Sequence, residues 1–302
     1  MSTTWRPLSG TGQVMPRIVA RKVATERILA EVDRLAPLPT VVMDVIRAVE
    51  DPKASVADLE RIISYDLIIT ARVIKLANSS FYARGEPART IGDAVKRLGF
   101  KTIKNLVVAA GAGKVLMRPM RHYTYKAFGL WQHSLGLALT TRSLARHLGL
   151  PSAMQDELFL AGLLHDVGKL VLDPILAEFV GRTRWLTTAM ESDAVGLDHT
   201  EVGQRIAVAW KLPTYVVAVI KQHHSLDTDV DFAQHSAAIH VGDYLINQAR
   251  VGIAQEAEVA CEVHPTALRT LCLDPQSMQE LQTAVVNELP HIMGLCEELV
   301  QC

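Results

Sequence analysis

Apolar residues recur at every third or fourth position along most of this sequence, which is the spacing that places them on one face of an α-helix. In the first such stretch Ile28 and Val32 share a face, and Pro37 and Pro39 end the pattern. No stretch shows the strict apolar and polar alternation of a half-buried β-strand. The pattern therefore predicts an all-α fold, a helical bundle in which short N-terminal helices precede a longer helical core.

Residues that cap helices predict where several of these helices begin. Ser55, with Asp58 three positions later, has the spacing of a capping box, and Asp66 and Thr90 also precede helical stretches. Thr40 is a further candidate N-cap, for the second helix. Beyond residue 100 the pattern predicts helices at about 101–117, 124–148, 151–171, 191–209, 213–222, 232–250 and 275–298.

Two changes of character along the chain predict its organisation. Residues 1–22 lack apolar periodicity, so we expect them to form a mobile N-terminal arm. Near residue 120 the short helices give way to longer ones that carry histidines. We therefore predict an N-terminal helical subdomain over residues 23–120 and a second helical subdomain over residues 121–302.

The charge balance limits the classes of partner. The 302 residues include 31 Lys and Arg against 32 Asp and Glu, so nothing in the net charge of −1 favours nucleic acid or an acidic membrane surface. The apolar runs stop well short of the roughly 20 residues that a bilayer requires, and we expect no membrane partner. The cysteines form no CxxC pair and predict free thiols in a reducing cytoplasm, where we expect the protein to reside: Cys261, Cys272, Cys296 and Cys302.

Histidine and aspartate residues in the second half of the chain are the strongest chemical signal. His165 and Asp166 follow Leu163 and Leu164 in a helical stretch, so this ionisable pair needs partners to offset its desolvation. Imidazole is a common metal ligand and a carboxylate can bridge two ions, so such residues on several helices indicate a metal site inside a bundle. The candidate ligands are His133, His165, Asp166, His199, His223, His224 and Asp243.

Each candidate also has a purely structural interpretation. A single histidine on an apolar helical face is more often a hydrogen-bonded core residue than a ligand. Lys169 shares a helical face with His165 and Asp166 and is a candidate for holding a phosphate group. It could equally be a cation near a helix C-terminus, where the helix dipole favours positive charge.

Two segments of the N-terminal half resemble the HDOD family of bacterial signalling proteins. The first runs from Asp66 to Tyr82 and contains Asn78-Ser79, and the second is Ala94-Val-Lys-Arg-Leu-Gly99. The resemblance covers about residues 26–250, although Leu67 replaces the proline common after the family's aspartate. It implies an α-helical and usually regulatory protein. Many members of this family have lost the metal ligands of their HD site.

The second half retains those ligand types. The order of His133, His165-Asp166 and Asp243 resembles the HD superfamily of metal-dependent phosphohydrolases, and the full candidate set with Lys169 resembles the HD-GYP phosphodiesterases that hydrolyse cyclic di-GMP. The residues after His224 are Ser-Leu-Asp-Thr-Asp, with no Gly-Tyr-Pro, which argues against that substrate. The resemblance implies two divalent metals per chain. Imidazole and carboxylate ligands without thiolate favour iron or manganese over a closed tetrahedral zinc site.

Three functional hypotheses follow. The first is a regulatory protein that relays a signal to an unidentified protein partner through its helical bundle, with a structural or sensory metal centre. The second is a metal-dependent phosphohydrolase acting on a nucleotide or cyclic nucleotide, in which Asp166 bridges two metals and Lys169 steadies phosphate oxygens. The third is an interaction scaffold in which the histidines are remnants.

Phe81 and Tyr82 lead to a first prediction. Replacing Phe81 with Ala is expected to cost about 3 to 5 kcal/mol of unfolding free energy if this aromatic packs between the subdomains. If it instead anchors a protein partner, the variant keeps normal stability and fails to capture partners from lysate. Chemical denaturation and pull-down measure the two outcomes. A stable variant with unchanged partners would contradict both interpretations.

Overall fold

The computed structural model describes residues 17–35, 37–79, 82, 85–120, 122–179, 186–227, 230–254 and 262–300. Within these ranges the protein contains fifteen α-helices and no β-strand, which confirms the all-α prediction. In chain order the helices are α1 (Arg17–Arg34), α2 (Thr40–Glu50), α3 (Val56–Ser64), α4 (Leu67–Ala77), α5 (Ile91–Leu98), α6 (Phe100–Leu116), α7 (Gly129–His147), α8 (Ser152–Leu164), α9 (Lys169–Phe179), α10 (Thr188–Val195), α11 (His199–Ala209), α12 (Thr214–Gln222), α13 (Ala233–Gln248), α14 (Pro265–Thr270) and α15 (Pro275–Val300).

Side-chain caps begin three of the short N-terminal helices. Ser55 and Thr90 each form a complete capping box with the aspartate three positions later, and the Asp66 carboxylate accepts two backbone N–H groups at the start of α4. The prediction for Thr40 was wrong. Thr40 is the first helical residue of α2, and the N-cap position is occupied by Pro39, which has no side-chain acceptor.

The N-terminal helix differs from the predicted arm. Residues 1–16 lie outside the described part of the chain, but α1 already begins at Arg17, so residues 17–22 are helical. Ala20, Ala24 and Ile28 are fully buried at four-residue spacing, and α1 contacts α9, α10 and α11. Small alanines do not stand out in an apolar pattern, which explains why the sequence did not reveal this helical face. The predicted division near residue 120 stays a prediction, and buried residues from both parts form one apolar cluster.

Asn78 holds the segment that links α4 to α5. Its side-chain amide donates to the carbonyl oxygen of Ala88, and its amide oxygen accepts the N–H of the same residue, both at 2.8 Å. Arg97 donates to the same amide oxygen at 3.0 Å. Tyr82 is buried, whereas Phe81 lies outside the described residues. The Asn78 side chain therefore has a structural role in this part of the fold.

Two predicted helices are each divided in the structure. The predicted helix 151–171 ends at Leu164, turns through four residues, and resumes as α9. The predicted helix 191–209 consists of α10 and α11, separated by Gly196 in a left-handed conformation and by the N-cap Asp198. In the first break Gly168 lies so close to the carbonyl oxygen of His199 that no Cβ fits between them. Tertiary packing against α11 therefore breaks a stretch whose apolar pattern is continuous.

The longer helices surround the turn that follows α8. Helix α7 packs along α8, α13 contacts both of them, and α12 contacts α8, α11 and α13. No helix in the described part of the chain combines the length and apolar character that crossing a bilayer needs. Cys272 is exposed and Cys296 is buried, both as free thiols, while Cys261 and Cys302 lie outside the described residues.

The close approach of Gly168 to α11 yields a prediction about stability. Because the obstructing atoms are backbone atoms of His199 and Gly203, Gly168→Ala is expected to lower the unfolding free energy by about 3 kcal/mol. Gly294→Ala, within α15 and with open space around its Cβ position, is the matched control. It is expected to gain about 0.5 kcal/mol from helix propensity. Equal stabilities of the two variants in urea denaturation would contradict this account.

Candidate metal centre

The predicted ligands all converge on the turn that follows α8. They come from five regions of the chain and reach a common centre from different sides. His165 and Asp166 begin the turn, and the others come from the helices packed around it: His133 in α7, His199 at the start of α11, His223 and His224 at the end of α12, and Asp243 in α13.

Asp166 lies in the middle of this centre, only 1% exposed. Its Oδ1 atom is 3.3 Å from Nε2 of His199 and 3.8 Å from Nε2 of His223. Its Oδ2 atom is 3.1 Å from Nε2 of His165 and 3.9 Å from Nε2 of His133. The two carboxylate oxygens therefore face two different sets of imidazoles.

Two groups of ligand atoms result, and within each group all atoms lie within 4.8 Å of one another. The group next to Oδ1 is buried except at His224, which is exposed. In the other group Nε2 of His133 is 3.1 Å from Oδ1 of Asp243. The first group comprises Asp166, His199, His223 and His224, and the second comprises His133, His165 and Asp243.

Hydrogen bonds at the far side of the rings set the orientation of three imidazoles. His165 and His223 each donate from Nδ1 to the carbonyl oxygen three residues earlier, at 2.8 and 2.9 Å. His199 donates from Nδ1 to the carboxylate of Glu191 at 2.8 Å. In a neutral imidazole this leaves Nε2 as an unprotonated acceptor aimed at the centre, which is the arrangement found in histidine ligands of metals.

The centre has an excess of acceptors that a cation would satisfy. Nε2 of His199 and of His223 and Oδ1 of Asp166 are buried and have no hydrogen-bond partner among the described residues. Lone pairs that face one another in a buried site are unfavourable unless a proton or a metal lies between them. The residues therefore fit a divalent metal, through imidazole nitrogen and carboxylate oxygen.

Electrostatics keep the two carboxylates and His223 in the forms that bind metals. Burial acts to raise the pKa of Asp166, but the charges of His165 and Lys169 outweigh it and hold the pKa well below the usual range. Burial lowers the pKa of His223 to about 4. The pKa of Asp243 is also lowered, because the interaction with His133 outweighs burial. Near neutral pH these carboxylates are ionised and His223 is neutral.

Lys169 and Tyr125 adjoin the same carboxylate. Nζ of Lys169 is 2.5 Å from Oδ2 of Asp166 and 3.2 Å from the hydroxyl of Tyr125, which itself donates to Oδ2 at 3.2 Å. Lys169 begins α9 instead of ending a helix, so the alternative of a cation at a helix C-terminus was wrong. Burial acts to lower the pKa of Lys169, but the Asp166 charge outweighs it and raises the pKa.

Sequence reasoning missed Tyr125, Tyr123 and Glu191. Tyr125 forms an isolated antiparallel backbone bridge with Ile253, and no apolar period or spaced motif marks this segment. Glu191 is fully buried in α10 and reaches His199 only because α10 and α11 fold back on each other. Its position eight residues before His199 forms no recognised ligand spacing.

Comparison with known proteins identifies the family. The HDOD domain matches residues 35–226, which is more than half of the chain. The chain belongs to the HDOD domain family. An uncharacterized protein of Treponema pallidum is 27% identical over an alignment of 227 residues, and the match covers 70% of this chain and 43% of that protein. This HDOD chain thus spans less than half the length of that relative.

Solved structures share the HDOD fold. An HDOD domain protein with unknown function from Geobacter sulfurreducens is 23% identical, with 93% of this chain and 99% of that chain covered at a TM-score of 0.72. A protein from Marinobacter aquaeolei, provisionally described as a signal transduction protein, is 23% identical. The match covers 94% of this chain and 67% of that chain at a TM-score of 0.72. A Shewanella amazonensis protein, provisionally described as a phosphohydrolase, is 22% identical. The match covers 91% of this chain and 98% of that chain at a TM-score of 0.66.

The convergence on Asp166 yields a prediction about metal binding. Asp166→Ala is expected to abolish metal binding, because its oxygens face both ligand groups, while far-UV circular dichroism keeps its helical signal. His147→Ala, an exposed histidine at the other end of α7, serves as the control and is expected to retain metal. Metal content of the purified proteins is the measurement. Unchanged metal stoichiometry in Asp166→Ala would refute the ligand assignment.

Proposed function

We propose that this HDOD protein is a signal-transduction protein whose HD-like core holds two divalent metal ions, iron or manganese. The observation that carries the proposal is the division of the Asp166 carboxylate between two sets of imidazoles. A carboxylate that presents one oxygen to each of two ligand groups has the arrangement of a bridging ligand. A single closed zinc site would leave one of these groups without an ion.

The chain supplies a ligand set for each ion. One position would be held by Oδ1 of Asp166 together with the histidines of the first group, and the other by Oδ2 together with the second group. Every donor is an imidazole or a carboxylate. Such ligands support octahedral coordination with positions open to solvent or substrate.

The regulatory part of the proposal is supported by family membership. The HDOD domain matches residues 35–226, and the Marinobacter aquaeolei protein that shares this fold is provisionally described as a signal transduction protein. In the proposed role the metal centre is sensory or structural. A protein partner, so far unidentified, receives the signal from the helical bundle.

A metal-dependent phosphohydrolase is the second candidate. It is favoured by Lys169 beside the centre and by the exposed His224, since a substrate needs both a cation for its phosphate and an opening. Bound divalent ions would supply an activated water and polarise a phosphoryl oxygen. Asp166 would hold the ions, and Lys169 would orient the phosphate oxygens of a nucleotide or cyclic nucleotide.

Elemental analysis of protein purified without chelator tests the proposal. We expect iron or manganese at about two per chain, because the ligand groups can each hold one ion. Phosphodiesterase assays on that same sample then separate the two roles, since turnover supports the enzyme and its absence the regulator. Zinc alone, bound once and tetrahedrally, would contradict the dinuclear centre.

A further inference from the structure

Glu191 is a buried carboxylate that accepts hydrogen bonds from His199, one of the candidate ligands, and from Tyr123. It is fully buried, and it accepts hydrogen bonds from the backbone N–H of His199 at 2.7 Å and from Nδ1 of the same residue at 2.8 Å. The hydroxyl of Tyr123 donates to its other oxygen at 2.7 Å. Burying a charged group is costly unless its hydrogen bonds are complete, and here both oxygens are occupied.

This arrangement is unlike that of the other oriented imidazoles. His165 and His223 donate from Nδ1 to neutral carbonyl oxygens, whereas His199 donates to an anion. A hydrogen bond to a carboxylate fixes the ring and raises the basicity of its other nitrogen more than a bond to a neutral acceptor does. Glu191 therefore strengthens Nε2 of His199 as a donor toward the centre.

The two ligand groups also obtain negative charge in different ways. The second group contains Asp243 as a ligand of its own, in addition to sharing Asp166. The first group shares Asp166 but contains no further carboxylate, and its remaining members are histidines. Glu191 supplies negative charge to this group from behind His199. Its negative charge should consequently raise the metal affinity of one position only.

Contacts from α9 and a cap at the start of its own helix, α10, hold Glu191 in place. Oδ1 of Asp173, in α9, accepts the backbone N–H groups of His122 and Tyr123 at 2.7 and 2.9 Å, which fixes the segment that carries the phenol. At the start of α10, the Thr187 side chain caps the helix. The carboxylate is thus preorganised on both sides.

We propose that Glu191, braced by Tyr123, is a positioning residue that selectively raises the affinity of the metal position containing His199. The inference rests on the proposed dinuclear centre. Removing a hydrogen-bonded group behind a metal ligand typically costs about 10–100-fold in metal affinity. Glu191→Gln keeps the size of the side chain and an acceptor for Nδ1 but removes the charge, so it isolates the electrostatic contribution.

Calorimetric titration of Mn²⁺ into the metal-free full chain tests this inference. The original protein is expected to bind two ions, and Glu191→Gln is expected to lose about 10–100-fold affinity at one position only. Tyr123→Phe is expected to weaken the same position by a smaller factor. Glu157→Gln is the matched control, because Glu157 accepts a hydrogen bond from His235 at 2.9 Å away from the centre. It is expected to leave both affinities unchanged.

A variant that lacks a ligand of the second group identifies which metal position Glu191 affects. His133→Ala removes a ligand of the second group, so the remaining Mn²⁺ should depend on Glu191. In the double variant that combines Glu191→Gln with His133→Ala, the affinity for this remaining ion is expected to fall by the same factor. Thermal unfolding of the metal-free variants separates positioning from a structural role, which would lower the melting temperature without changing the ratio of the two affinities.

The outcomes are distinguishable. If the original protein binds fewer than two Mn²⁺ ions, the proposed function fails, and this inference fails with it. If it binds two and Glu191→Gln leaves both affinities unchanged, or weakens both equally, the inference alone is overturned. Should Glu191→Gln not fold, Tyr123→Phe decides in the same way.

Discussion

The charge of Asp166 is the constraint on which the second half of the molecule depends. An ionised carboxylate that is 1% exposed is tolerated only where compensating groups surround it. Lys169 provides a direct counter-charge, and four imidazoles from the surrounding helices point a nitrogen toward its oxygens. The need to gather these groups around one residue explains why the turn after α8 lies at the centre of the helical core.

Close backbone packing places these groups within a few ångströms of Asp166. Gly168 allows the turn to touch the start of α11, which brings His199 to within 3.3 Å of Asp166. The far-side hydrogen bonds of the imidazoles then fix the rings before any ion binds. A centre that is preorganised in this way spends little binding free energy on ordering its ligands.

The N-terminal part of this HDOD protein belongs to the same packed body as the candidate centre. Helix α1 contacts α9, α10 and α11, which carry Lys169, Glu191 and His199 respectively. Buried apolar residues continue from these helices into α2 and α6 without interruption. The N-terminal helices and the helices that carry the candidate ligands therefore share one apolar core.

The sequence by itself determined the helical class, the caps at Ser55, Asp66 and Thr90, and the types of residue available for a metal centre. These properties depend on local spacing and on side-chain chemistry. Tertiary structure decided where the continuous helical patterns break, as at Gly168, because only contact with another segment makes that break favourable. It also decided that Glu191 supports His199, and which carboxylate oxygen faces which imidazoles, because distances between separate helices leave no periodic trace in the chain.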